Sequence, residues 1–111
     1  MVSKILSDFG SLAFGTSKLH GIACIEAVSS ALAAGYRIID SAQSYNNEKA
    51  IGEAIQNSKL PREDVFVTTK ISGGWLKNPS TYKEAYDSAR ASIRTLGLGY
   101  VDMIMIHAPG S

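Results

Sequence analysis

The stretch Gly35-Tyr36-Arg37-Ile38-Ile39-Asp40-Ser41-Ala42-Gln43-Ser44-Tyr45-Asn46-Asn47-Glu48-Lys49-Ala50-Ile51-Gly52-Glu53-Ala54-Ile55 contains one complete strand-to-helix unit. Tyr36 to Asp40 is a short apolar run closed by a carboxylate, which reads as a buried strand. Gly35 is placed to cap the helix that comes before it. Asn46 or Asn47 is placed to cap the helix that follows, with Ile51, Ala54 and Ile55 as its buried positions.

Working outward, the same alternation repeats. Ser11 to Gly15 is a short strand candidate closed by glycine. Ile22, Ile25, Val28 and Leu32 recur at spacings of three and four, which predicts a helix with one buried face. Leu60 to Asp64 reads as a turn, and Val65 to Lys70 as the third strand. Residues 71–80 hold Gly73, Gly74 and Pro79 and read as a loop. Ser80 or Thr81 caps a third helix with Ala85, Ala89, Ile93 and Leu96 on one face, ended by Gly97 and Gly99. Tyr100 to His107 is the fourth strand. Continuous apolar runs alternating with helices predict an α/β fold with a parallel sheet. Right-handed crossovers adding strands in one direction would build a barrel wall.

In this arrangement Asp40, Tyr45, Lys70 and His107 fall at or just past strand ends. Parallel strands would bring them to one rim of the sheet, where α/β proteins keep their chemistry. Each has a plainer reading alone. Asp40 could cap a turn, Tyr45 could be a half-buried loop aromatic, Lys70 a solvated strand end, and His107 a structural hydrogen-bonder. His20 reads as a surface loop residue and Cys24 as a small buried group on the first helix.

The chain has 111 residues, 45% hydrophobic and 19% charged, with a net charge of +1. No basic patch points to nucleic acid or an anionic membrane, and no segment approaches spanning length. Cys24 is the single cysteine, so there is no intrachain disulfide, and a reducing compartment, by default the cytoplasm, fits best. No metal-ligand pattern is present.

The quoted stretch resembles the aldo-keto reductase family. It carries the G-x-R-x-I-D-[ST]-A segment, a tyrosine five positions after the aspartate, then N-E and a G-x-A-[IL] helix. Phe66 to Lys70 and Leu96 to Pro109 are similar to that family's third and fourth strands. The resemblance implies the N-terminal half of a (β/α)8 TIM barrel, with residues 1–111 forming a partial domain that stops after the fourth strand. Such a barrel needs about 250 residues.

It also implies reduction of aldehydes or ketones with NADPH. Tyr45 would be the general acid. A free tyrosine holds its proton to a pKa of about 10, and Lys70 beside it would favour phenolate, with Asp40 fixing Lys70. His107 would bind and orient the substrate oxygen. Gly15, Thr16 and Ser17 match the segment that approaches the nicotinamide, and Asp40 would also touch the cofactor. Many members have an aromatic residue at Ser17 and a tryptophan at Ala108. Trp75 would then supply an apolar wall to the substrate pocket.

The resemblance places most cofactor contacts on later strands, so the isolated chain is expected to lack turnover. Two non-enzymatic alternatives stand beside the reductase: a half-barrel interaction module self-associating through open sheet edges, and a regulatory subunit sharing the fold.

Overall fold

The computed structural model describes residues 6–75, 78–79 and 81–107. Strands β1 (Ala13–Gly15), β2 (Ile38–Asp40), β3 (Phe66–Ser72) and β6 (Met103–His107) form one sheet in the order β1-β2-β3-β6. Every neighbouring pair in it is parallel. Helices α1 (Gly21–Ala33), α2 (Glu48–Asn57) and α3 (Tyr82–Leu96) supply the crossovers. Strands added in one direction with helices on one side are the first half of a (β/α)8 barrel.

Residues 71–80 differ from the expected loop. Strand β3 continues to Ser72, because Ile71 is buried and Ser72 pairs in register with His107. Gly74–Trp75 (β4) and Asn78–Pro79 (β5) then form a short antiparallel ribbon. Gly74 permits the reversal with a positive φ of 80°.

Strand alternation sorts the side chains into two layers. Ile39 and Val67 face the helices and pack with Cys24, Val28 and Leu32 of α1, with Ile51, Ala54 and Ile55 of α2, and with Leu96 of α3. The opposite face lines an open concavity of about 810 Å³ that includes Gly15, Ile38, Asp40, Phe66, Thr68 and Met105. One expected core residue lies elsewhere: Ile22 is 74% exposed. It sits two residues, about 200° of rotation, from Cys24, whose face carries Val28, Ala31 and Leu32 into the core. On β6, Ile104 and Ile106 are exposed.

The helix ends follow their sequence signals with one exception. Gly35, at φ 107°, lets its own N–H reach Leu32 O and the Tyr36 N–H reach Ala31 O, closing α1 with paired reverse bonds. Asn47 occupies the N-cap position of α2 but makes no side-chain capping bond. Its amide instead donates to Thr16 O at 2.8 Å and Leu19 O at 3.0 Å, tying down the loop after β1.

At α3, Thr81 and Glu84 form a reciprocal capping box: Glu84 N–H donates to Thr81 Oγ1, and Thr81 N–H donates to the Glu84 carboxylate at 2.9 Å. These bonds hold the Glu84 carboxyl below its ordinary range. A lowered folded value means that the box contributes fully above the unfolded carboxylate range and is lost as pH falls through the folded value. Acid is therefore expected to lower the amide protection factors, measured against the intrinsic exchange rate at each pH, at the start of α3. Glu84→Gln, which keeps an acceptor but cannot titrate, should flatten that dependence.

The end of the sheet away from the strand C-termini is stapled by Arg62. It donates to Val65 O, Tyr100 O and the Asp102 carboxylate, and stacks over the Tyr100 ring at 4.0 Å. Asp102 also accepts the Val67 N–H at 2.8 Å. These roles explain why the fourth strand starts at Met103 rather than Tyr100. The rim at the other end is left for chemistry.

Candidate active site

Asp40 is the last residue of β2 and pairs in register with Thr68 of β3. Lys70 lies two residues further along β3, so its side chain rises from the same face of the pleated sheet. Lys70 Nζ donates to Asp40 Oδ2 at 2.8 Å, Asp40 Oδ1 at 2.9 Å and Ser41 O at 3.0 Å. An ammonium has three protons to donate, and these acceptors are enough to hold it in one place. The Lys70 and Asp40 side chains retain 16% and 29% of their exposure, and Asp40 lines the open concavity.

Tyr45 closes the 3-10 turn Gln43–Tyr45, which begins three residues after Asp40. Asn46 follows in the left-handed conformation, φ 55°, and turns the chain into α2. This fold-back brings the Tyr45 hydroxyl within 3.4 Å of Lys70 Nζ, with the same ammonium 5.0 Å from the ring centroid. His107, the last residue of β6, stands edge-on to Tyr45 with ring centroids 6.1 Å apart. Its Nδ1 is 3.4 Å from Ser44 Oγ. The four residues singled out in the sequence thus meet at one rim.

The other candidates divide. Gly15 is in register with Asp40 and lines the same concavity, and a Cβ added there would meet nothing within 4 Å. Thr16 is fully buried, and its hydroxyl donates to Asp40 O at 2.8 Å. It fixes the β1–β2 junction, while its carbonyl accepts from the Leu19 N–H and the Asn47 amide, so the residue is closed off rather than open to a ligand. Ser17 is exposed on the loop. The side chain of Trp75, and the Ala108 position beyond His107, lie outside the described residues.

Residue-by-residue reading of the sequence misses the support around Asp40. Thr68 Oγ1 donates to Asp40 Oδ1 at 2.7 Å, and the Ser41 hydroxyl donates to Thr68 O at 2.7 Å. The usable signal was the hydroxyl-rich Thr68-Thr69 pair within an otherwise apolar strand. Among the described residues, no group of three or more His, Cys, Asp or Glu is arranged to hold a metal ion. No helix among them is long and apolar enough to cross a membrane.

A carboxylate-anchored lysine against a phenol, beside an imidazole at the mouth of a parallel strand array, can deliver a proton to a polarised oxygen. Comparison with known proteins agrees with this geometry. The chain is similar to an aldo-keto reductase of Mycolicibacterium smegmatis, 43% identical over 96 residues, which are 86% of this chain and 32% of that protein. It is 46% identical over 95 residues to methylglyoxal reductase DkgB of Yersinia pestis, covering 86% of this chain and 34% of that one. Among solved structures, an aldo/keto reductase from Brucella melitensis superposes with a TM-score of 0.75 at 38% identity, over 86% of this chain and 36% of that one. The chain spans about a third of the length of the curated relatives it matches. The model of the aldo/keto reductase family matches residues 9–111, and with the rim geometry and these relatives it establishes that the chain belongs to that family.

Proposed function

We propose that this chain carries the proton-delivering half of an NADPH-dependent carbonyl reductase, converting aldehydes or ketones to alcohols. The observation that supports this most directly is Lys70 Nζ, bonded to both oxygens of Asp40 and 3.4 Å from the Tyr45 hydroxyl. Tyr45 gives its proton to the substrate oxygen, and the adjacent ammonium stabilises the negative charge left on the phenol. Asp40 holds that ammonium in place. His107 donates a hydrogen bond to the same substrate oxygen, orienting it and supporting charge that develops there.

The bound nicotinamide would supply hydride to the carbonyl carbon. The residues present fit its ring end: Gly15 leaves open space beside Asp40, and the concavity they line is mainly apolar. Among the described residues that line that concavity, none is a Lys or Arg that could hold phosphate. The phosphate grip therefore belongs to later parts of a complete barrel. The cytoplasm is the proposed setting. Cys24 is a free thiol sealed in the core, and burial pushes its pKa up, away from the reactive thiolate.

The test joins residues 9–111 to the remainder of the Mycolicibacterium smegmatis relative and follows NADPH oxidation with methylglyoxal. The chimeric barrel is expected to turn over, and the 111-residue chain alone is expected not to. A folded but inactive chimera would overturn the reductase reading. Turnover by the isolated chain, abolished by Tyr45→Phe, would overturn the proposal that it needs the rest of the barrel.

A second reading rests on β6, whose Ile106 is 61% exposed beside Ile104 at 37%. Two copies pairing through such open edges would make a non-enzymatic module. Sedimentation of the purified chain as one discrete dimer would favour it.

A further inference from the structure

Glu48 takes no part in the chemistry above, yet its carboxylate is buried, 5% exposed, at the first residue of α2. The N-terminus of a helix favours negative charge there. Two hydroxyls reach it from different elements. Thr69 Oγ1 donates to Oε2 at 2.5 Å, and Ser92 Oγ donates to Oε1 at 3.2 Å. Ser92 Oγ in turn accepts from Gln43 Nε2 at 3.0 Å, and the same amide reaches Ser88 O at 3.0 Å. Thr69 and Ser92 are both sealed from solvent.

The placement of these partners matters more than their number. Thr69 immediately precedes Lys70 on β3, and strand alternation sends the two side chains to opposite faces. Gln43 opens the 3-10 turn that Tyr45 closes. A single carboxylate therefore ties together, from the helix side, the strand that carries Lys70 and, through Ser92, the turn that carries Tyr45.

The donor directions also require an acceptor at both oxygens. A hydroxyl has one proton: Ser92 receives from Gln43 and gives its own to Glu48, while Thr69 gives to the other oxygen. An ionised carboxylate accepts at both, whereas an amide must turn a donor toward one of them.

We propose that Glu48 is a positioning residue that sets the approach of Tyr45 to Lys70. The inference rests on reading those two as the proton-delivering pair, but its primary test needs no turnover. In the 111-residue chain carrying 13C-labelled tyrosine and lysine, the Tyr45 resonances are assigned by their loss in Tyr45→Phe. The nuclear Overhauser contact between the Tyr45 ring and the Lys70 side chain is then measured. Glu48→Gln, nearly identical in shape, is expected to lose more than half of that intensity in the folded species. Ser92→Ala, which cuts only the arm to Gln43, is expected to do the same.

In the chimeric barrel, each change should lower kcat by about 10- to 100-fold while leaving KM nearly constant, as misplacement of a reacting group does. If Glu48→Gln does not fold, Ser92→Ala decides the matter. Lower stability with an intact Tyr45–Lys70 contact would overturn the proposal, since Glu48 would then act only on the fold. Loss of the contact in a chimera whose parent is inactive would support the positioning role while rejecting the reductase reading, so the two fail separately.

Discussion

Tyr45→Phe in the chimeric barrel is expected to lower kcat for aldehyde reduction by about 10²- to 10⁴-fold, the usual contribution of a positioned general acid. The substitution removes one oxygen. The described neighbour of that oxygen is Lys70 Nζ at 3.4 Å, and the lysine keeps its two bonds to Asp40 and its bond to Ser41 O. The ring keeps its edge contact with His107. Thermal stability and substrate KM should therefore change little, so the loss falls on the chemical step. Single-turnover measurement with pre-bound NADPH separates that step from product release. Retention of turnover within about threefold would mean that proton delivery runs through another group, since a general acid contributes far more than that.

Much of this rim was legible in the sequence because its parts are local. Asp40 and Lys70 close apolar runs, and parallel pairing is enough to align run ends. Tyr45 follows Asp40 closely enough for the turn to place it. Gly35 and Thr81 cap their helices as the local rules for such ends indicate.

The features that escaped are those decided by distant partners. Asn47 has the chemistry of a cap, but the carbonyls of Thr16 and Leu19 win its amide. Ile22 fits a helical spacing, but the sheet meets the face that carries Cys24 instead. Glu48 reads as an ordinary first-turn acid until Thr69 and Ser92 close over it. No periodicity encodes a contact between residues that far apart in the chain.

Gly52→Ala supplies a sharp test of the packing behind that rim, because two rules predict opposite signs. Intrinsic helix propensity alone would make alanine the better residue inside α2 by about 1 kcal/mol. Packing forbids it. A Cβ at Gly52 would lie 1.8 Å from Leu96 O and 2.8 Å from Leu96 C, both backbone atoms at the end of α3. No rotamer change relieves a clash with backbone, so α2 and α3 must separate.

Separation would strain the Gln56 side-chain bond to Gly97 O, 2.8 Å long, and the Glu48–Ser92 bond between the same helices. It would also loosen Ile51, Ile55 and Leu96, which share the buried core. Overpacking usually costs about 1–3 kcal/mol, and a backbone partner puts this case at the upper end, about 3 kcal/mol or more. That is a large fraction of the stability of a small domain. Gly97→Ala is the useful comparison. Its φ of 68° is left-handed, but its nearest steric neighbour is a flexible side-chain atom at 3.8 Å, so it should cost only about 1–2 kcal/mol. Urea unfolding should therefore rank wild type above Gly97→Ala, and Gly97→Ala above Gly52→Ala. A Gly52→Ala chain as stable as wild type would show that helix propensity prevails, and that α2 does not pack against the end of α3 at this distance.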